Sequence, residues 1–351
     1  MKRAIVVLFL VIMFTARILS QESSRGTQNS KSSDNSADKP ATLKLYDVPA
    51  PQEVGGQSQD EVADYMKITK ATDPKEQVEL IEAFLNKYPQ SQYNPLLHQR
   101  AAEDYQRTNN LGKFIEHGEA ALISSPNNVA LLAVLAVTYA TQGDTEKSIE
   151  RGTKAVSVLE TLEPPPKADP AEFSAQRNRY LAIAYTGLGT AFLTRYELAK
   201  KGQPSNLAVQ EASQPTGQRS SPGENGSPAP TTKLSEESKN SNAGKPPAAT
   251  TDPTNLDLSK AKGYYSRALE LNSDYEFAEY QFAVVCAYER QVAPALEAFS
   301  KVIAMGGPMA ALAKENFERI YKISHKNSLD GSEELLEKAR SAWAEKKQTT
   351  K

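Results

Sequence analysis

The amino-acid sequence predicts an all-α protein: an α-solenoid of about five helix-turn-helix repeats, with a C-terminal pair of capping helices and a long disordered insert. The first observation is that apolar residues recur at helical spacing over much of the 351-residue chain. The second is a fixed period. Ala121 and Ala155 lie near the ends of two helical stretches and are 34 residues apart, and Ala261 and Ala295 near the starts of two others have the same separation. A period of this size is typical of repeat architectures.

The N-terminal residues have the pattern of an export signal. Lys2 and Arg3 precede an apolar run from Ala4 to Phe14, and polar residues follow from Gln21. This order is typical of a bacterial-type secretory signal peptide, and the run is shorter than the about 20 residues of a spanning helix. We therefore expect residues 1–20 to be a signal peptide and the protein to be periplasmic or secreted. An uncleaved signal would instead anchor it to the inner membrane, which is the only membrane contact that we expect.

Composition argues against several classes of function. The chain has 41 Lys and Arg against 43 Asp and Glu, a net charge of −2, so no basic field indicates a nucleic-acid partner. Cys286 is the only cysteine, which excludes an intramolecular disulfide, and its apolar neighbours predict a buried residue. His98, His117 and His325 lack metal-site spacing and are interpreted as packed or solvated side chains. We expect no metal, no cofactor and no small-molecule substrate, and predict that the chain is not an enzyme.

Three stretches of the chain share one pattern in their first helix. An apolar residue is followed directly by an alanine, and a tyrosine or cysteine lies three positions after that alanine. The three sets are Ala101, Ala102 and Tyr105, then Leu135, Ala136 and Tyr139, and finally Phe282, Ala283 and Cys286. A short turn and a second helix follow each set.

This unit and its period of about 34 residues resemble the tetratricopeptide repeat family. The family's usual tryptophan is missing from the first helices, and Gly118 and Gly152 stand where the family favours an aromatic residue. The resemblance implies a solenoid in which no single unit buries its apolar face alone, so that units must stack.

One unit is interrupted. Asp169 and Pro170 predict the start of a first helix of about thirty residues that contains Gly189. Its second helix is expected only near Ala261, whereas complete units place the second helix about twelve residues after the small residue of the first. About 60 residues are therefore inserted, and they are rich in Pro, Ser, Asn and Gly, which predicts a disordered loop. We expect Tyr265, Ala268 and Leu271, after the insert, to pack against Leu188 and Phe192 of the first helix.

The predicted organisation follows from these boundaries. It comprises a signal peptide at 1–20, a disordered tether at 21–58, tetratricopeptide-like repeats at 59–201, a disordered insert at 202–255, further repeats at 256–307 and capping helices at 308–346.

The family resemblance implies that the first helices line a concave groove for peptides or partner helices. Mapped onto this sequence, the groove contains Gln99, Glu103, Arg107, Ala133, Val137, Thr141, Ile183, Thr186, Thr190, Phe277, Tyr280, Val284 and Tyr288. We therefore predict a non-enzymatic scaffold that binds protein or peptide segments in the cell envelope or the secreted space. The alternative is a tethering or regulatory subunit that makes its contacts through its disordered segments, while its own chain covers the groove.

Overall fold

The described part of the chain consists of helices. The structure is a computed structural model that describes residues 58–166, 168–202 and 253–349. Within these ranges every regular element is an α-helix, which confirms the all-α class. The expected signal peptide, nearly all of the tether and most of the insert lie outside the described residues.

Twelve helices form the described ranges, and each contacts the next one along the chain from the first to the eleventh. They are α1 (Gln59–Lys70), α2 (Pro74–Lys87), α3 (Asn94–Arg107), α4 (Leu111–Ser124), α5 (Val129–Gln142), α6 (Thr145–Thr161), α7 (Pro170–Lys200), α8 (Pro253–Leu271), α9 (Glu276–Tyr288), α10 (Val292–Met305), α11 (Ala310–Ser324) and α12 (Ser332–Thr349). The last helix, α12, packs on α10.

Polar side chains define where several helices begin. The side chains of Asp73, Asn110, Asn128 and Asp144 each accept a hydrogen bond from the backbone N–H three residues later. Asp169 caps α7 in the same role, with Pro170 in the first turn, as the sequence predicts. Each cap satisfies one of the N–H groups that the first helical turn leaves without an intrahelical acceptor.

The turn inside three helix pairs has one recurring geometry. Asn109, Gly143 and Arg290 follow α3, α5 and α9 and all have a positive φ, at 61°, 87° and 60°. The next residue then donates its backbone N–H to a carbonyl five residues back. These carbonyls belong to Tyr105, Tyr139 and Cys286, the third members of the three sequence sets. This αL helix ending joins the two helices of each pair in the same way.

The two glycines that depart from the family pattern have a packing role. A Cβ on Gly118 would lie 3.4 Å from the side chain of Leu135, and one on Gly152 would lie 2.9 Å from that of Leu188. In both cases the glycine receives a leucine of the next helix along the chain. A large aromatic residue at either position would require these helices to separate.

Helices α7 and α8, which are separated in sequence by residues 201–252, make the most extensive interhelical contact among the described elements. The ring of Tyr265 lies directly over Gly189, where a Cβ would be 2.9 Å away, and its hydroxyl donates to Thr190 Oγ1 at 3.0 Å. Phe192 and Tyr264 stack with ring centroids 5.6 Å apart. Tyr265 therefore packs on α7 as expected, but its closest contacts are Gly189 and Thr190, and the residue that stacks on Phe192 is Tyr264.

The start of α8 differs from the sequence prediction. The insert was expected to continue through residue 255, but α8 begins at Pro253. Proline is favoured in the first helical turn because its fixed φ suits a helix and its missing N–H has no intrahelical partner there. The Asp-Pro pair that opens α7 recurs in sequence at residues 252–253, so the sequence contains the same helix-start signal for α8.

Most of the apolar core is continuous, and a smaller part lies at the N-terminal end. Buried residues of α3 through α12 form one cluster, while those of α1, α2 and α3 form another. Tyr105 is half-buried and packs against both clusters. Cys286 is fully buried in the larger one, as its sequence context predicts, and burial raises the pKa of its thiol.

A buried carboxylate connects α9 to α11. Glu276 is 2% exposed, and its Oε1 accepts the backbone N–H of Met309 at 2.8 Å, immediately before α11 begins. No side chain of its own sequence neighbourhood caps α11. Because a helix N-terminus carries positive potential, the Glu276 carboxylate replaces a local cap and fixes the start of α11 against α9.

Because α5 and α7 approach closely at Gly187, we expect a single added methyl group there to destabilise the fold. A Cβ on Gly187 would lie 2.9 Å from the backbone nitrogen of Val137 and 2.9 Å from Ala136 Cβ. Gly187→Ala should lower the free energy of unfolding by about 1–3 kcal/mol, because backbone cannot move aside as a flexible side chain can. Denaturant unfolding monitored by circular dichroism measures this change.

The matched control is Gly263→Ala in the interior of α8, where a Cβ would meet nothing within 4 Å. This variant should raise the free energy of unfolding by about 0.5–1 kcal/mol through helix propensity alone. Equal effects of the two substitutions would contradict the close α5–α7 contact.

Candidate functional site

The structure places most of the expected groove residues in the interior. The buried members are Gln99, Ala133, Val137, Ile183, Thr186, Thr190, Phe277 and Tyr280. Glu103, Arg107, Thr141 and Val284 are half-buried, and Tyr288 is exposed. The expected residues therefore differ in access to solvent, and the accessible ones lie on α3, at the end of α5 and on α9.

Hydrogen bonds explain why the two threonines that α7 contributes to the expected groove are not accessible to a partner. Thr186 Oγ1 donates to the carbonyl of Ala182, and Thr190 Oγ1 donates to the carbonyl of Thr186 while it accepts from Tyr265. Both hydroxyls are thus satisfied within α7 or by α8. Thr190 also joins α7 to α8 through Tyr265.

The most accessible aromatic side chain of the expected groove is Tyr288, which is 44% exposed. Its hydroxyl donates to Glu197 Oε1 at 2.9 Å, and its ring meets that of Tyr196 edge to face, with centroids 5.2 Å apart. Burial of its inner part, followed by the negative charge of Glu197, raises the pKa of Tyr288. The ring is therefore held in one orientation by two contacts with the end of α7.

Helix α11 adds polar groups beside these aromatic residues. Asn316 Nδ2 donates to the hydroxyl of Tyr280 at 2.8 Å, and Arg319 Nη2 donates to Asn316 Oδ1 at 2.6 Å. Tyr280 is itself buried, and this burial raises its pKa to about 12. We name the set of Tyr196, Glu197, Tyr288, Asn316 and Arg319 the C-terminal surface; it combines one exposed aromatic ring with charged and amide groups.

A second polar constellation joins α2, α3 and α4. His98 Nδ1 and His117 Nδ1 lie 3.0 Å apart, and His117 Nε2 lies 3.1 Å from Glu82 Oε1. The same carboxylate accepts from the Tyr105 hydroxyl at 2.9 Å and pairs with Lys113 Nζ at 3.1 Å. His117 is 2% exposed, so this chain of hydrogen bonds runs from the interior towards the surface.

The proton positions in this chain follow from the acceptors. Because the Glu82 carboxylate can only accept, His117 carries a proton on Nε2; in a neutral His117 ring, Nδ1 then accepts from His98 Nδ1–H. A proton added to His117 Nδ1 would face the proton on His98 Nδ1. The pair therefore cannot hold a proton on both Nδ1 atoms and keep its 3.0 Å contact. Burial, followed by the neighbouring His117, lowers the pKa of His98.

The described residues show few features of other site types. They contain no group of three or more His, Cys, Asp or Glu side chains placed to hold a metal ion. None of the helices in the described ranges combines the length and apolar character that crossing a bilayer requires.

Comparisons with other proteins add no further assignment. No protein-family model matches the chain, and a search of curated proteins finds no match either.

Sequence reasoning named His98, His117 and Tyr288 but missed their contacts and the partner residues Glu82, Glu197, Asn316 and Arg319. His98 and His117 are 19 positions apart, and Tyr288 contacts Glu197 across 91 positions. Neither separation gives a local motif. The 34-residue period could have suggested which helices face each other, since residues near corresponding positions of successive first helices become neighbours.

The histidine pair predicts a pH-dependent contribution to stability. Because the pKa of His98 is lowered in the folded state, the unfolded chain takes up the proton first as the pH falls below about 7. The stability contributed at this position is complete above the unfolded pKa of about 6.5 and is lost as the pH falls below that value. In His98→Asn, the amide can still donate to His117 but cannot titrate, so this loss should disappear.

The measurement is the difference in the free energy of unfolding between the wild type and His98→Asn, between about pH 8 and pH 5. A comparison of the two proteins is needed because burial raises the pKa of Asp104 to about 6. As the pH falls, protonation of Asp104 therefore increases the stability of both proteins, which is opposite in sign to the effect of His98. Parallel stability curves for the two proteins would refute the proposed proton arrangement.

Proposed function

We propose that this chain is a non-enzymatic protein-interaction scaffold, built as a solenoid of about five tetratricopeptide-like repeats with a capping helix pair. The identical turns after α3, α5 and α9 support the repeat assignment. The glycines of α4 and α6, which each receive a leucine of the next first helix, support the stacking of successive units. In this proposal the pairs are α1–α2, α3–α4, α5–α6, α7–α8 and α9–α10, followed by α11 and α12.

The observation that carries the function is the fixed, exposed ring of Tyr288 on the C-terminal surface. An aromatic side chain that is already held by Tyr196 and Glu197 loses little rotamer entropy when a partner covers it. Tyrosine and arginine are enriched among the residues that contribute most to protein interfaces, and both are present here. We infer that this surface binds a peptide or helical segment with an apolar anchor and nearby hydrogen-bonding groups.

The proposed setting is the cell envelope or the secreted space, with the protein periplasmic or secreted. An inner-membrane anchor through an uncleaved N-terminal signal is the alternative. The start of the sequence supports this placement: a basic pair, an apolar run and a polar exit.

A second function is favoured by the burial of residues in the middle of the expected groove. Since Ala133, Val137 and Ile183 are each no more than 2% exposed, they are not available to a partner. A tethering or regulatory subunit that makes its contacts through the segments at 21–58 and 202–255 would need no open groove.

Truncation of the Tyr288 side chain distinguishes binding at the C-terminal surface from tethering through the segments at 21–58 and 202–255. The immobilised full chain is used to capture proteins from an extract of the native envelope, and the captured proteins are quantified. Tyr288→Ala should weaken binding about tenfold or more, because removal of an aromatic anchor at an interface costs about 2 kcal/mol.

The matched control is Ile123→Ala, which truncates an apolar side chain that is 84% exposed on α4. Binding should be unchanged in this variant. Capture that survives Tyr288→Ala but is abolished by deletion of residues 203–252 would overturn the groove function in favour of tethering.

A further inference from the structure

A cleft between α3 and α5 has one polar wall and one apolar wall. It contains a cavity of about 20 Å³ above Phe114 of α4. Gln99, Glu103 and Gln106 line it from α3, where their spacing of four and three residues places them on one face. Leu131 and Val134 line it from α5. One buried water needs about 10–15 Å³, so the cavity has room for a small polar group.

Two of the amide side chains in this cleft are already engaged. Gln99 Nε2 donates to Glu103 Oε1 at 3.3 Å, and Asn128 Nδ2 donates to Gln99 Oε1 at 3.4 Å. The polar wall is thus ordered by a chain of hydrogen bonds that starts at the cap of α5.

Gln106 differs from its neighbours. It is 2% exposed, and neither its Nε2 nor its Oε1 has a hydrogen-bond partner in the described part of the chain. A buried amide without partners loses its hydration and gains nothing in return, which is unfavourable for both the donor and the acceptor. The side chain lines the cavity, so a group placed there can supply both missing partners.

We propose that this cleft is a subsite for a primary carboxamide, the side chain of an asparagine or glutamine of the bound segment. The ligand NH₂ donates to Gln106 Oε1, and Gln106 Nε2 donates to the ligand carbonyl, so that two parallel hydrogen bonds form. This inference rests on the proposed scaffold function, because it identifies a chemical group in the segment that the scaffold binds.

The hydrogen-bonding pattern selects this group over related ones. A carboxylate cannot donate to Gln106 Oε1 and meets the negative charge of Glu103. A guanidinium or ammonium group has no acceptor for Gln106 Nε2. A trans backbone amide carries its N–H and C=O on opposite edges, so one flat amide cannot contact both. A primary carboxamide has a donor and an acceptor on the same edge.

The test uses the full-length chain with labelled leucine and valine methyl groups, observed by NMR during titration with acetamide. Methyl resonances of Leu131 and Val134 should shift in a saturable way, with a dissociation constant in about the millimolar range that suits a fragment of this size. Acetate, guanidinium and N-methylacetamide should give no saturable shift at the same positions.

The matched variant is Gln106→Met, which keeps a similar shape and removes both polar atoms. It should lose the response to acetamide and retain the fold, since no described hydrogen bond is broken. Equal responses to acetamide and acetate, a response that persists in Gln106→Met, or no saturable response in the wild type would each overturn the carboxamide subsite. Loss of the subsite alone leaves the Tyr288 result unaffected, so the two proposals fail separately.

Discussion

The contact of the Tyr265 ring with Gly189 is the interaction on which the rest of the molecule depends. It joins two helices that are separated in sequence by residues 201–252, and the Tyr265 hydroxyl fixes their axial alignment through Thr190. Helix α7 also packs on α5 and α6, while α8 packs on α9. Helices α7 and α8 thus lie between the earlier and the later helices, and residues of both belong to the large apolar cluster.

Much of the fold was predictable because it follows from local residue types. Asp169 and Pro170 define the start of α7, and small residues such as Ala136 and Gly189 mark where helices approach closely. The position of α8 was less well predicted, since proline-rich sequence was interpreted as insert although Pro253 suits the first helical turn. The roles of Gly118 and Gly152 needed the structure, because the leucines that they contact lie in a different helix.

The candidate sites were less predictable than the fold. The expected groove was mapped by position along the first helices, which does not show which face another helix covers. Thr190 was assigned to the groove but donates and accepts within the α7–α8 pair. The unpartnered amide of Gln106 and the contact of His98 with His117 depend on side-chain geometry between helices, which no spacing in one sequence encodes.

Cleavage of the chain between α7 and α8 tests this account most directly. A protease site introduced between residues 203 and 252 is cut in the folded protein, and the products are examined by size-exclusion chromatography and thermal unfolding. We predict that the fragments remain one species, with an unfolding midpoint that now depends on protein concentration, because the α7–α8 contact has become intermolecular. Separation into two fragments that unfold independently would contradict the single helical array closed by Tyr265 and Gly189.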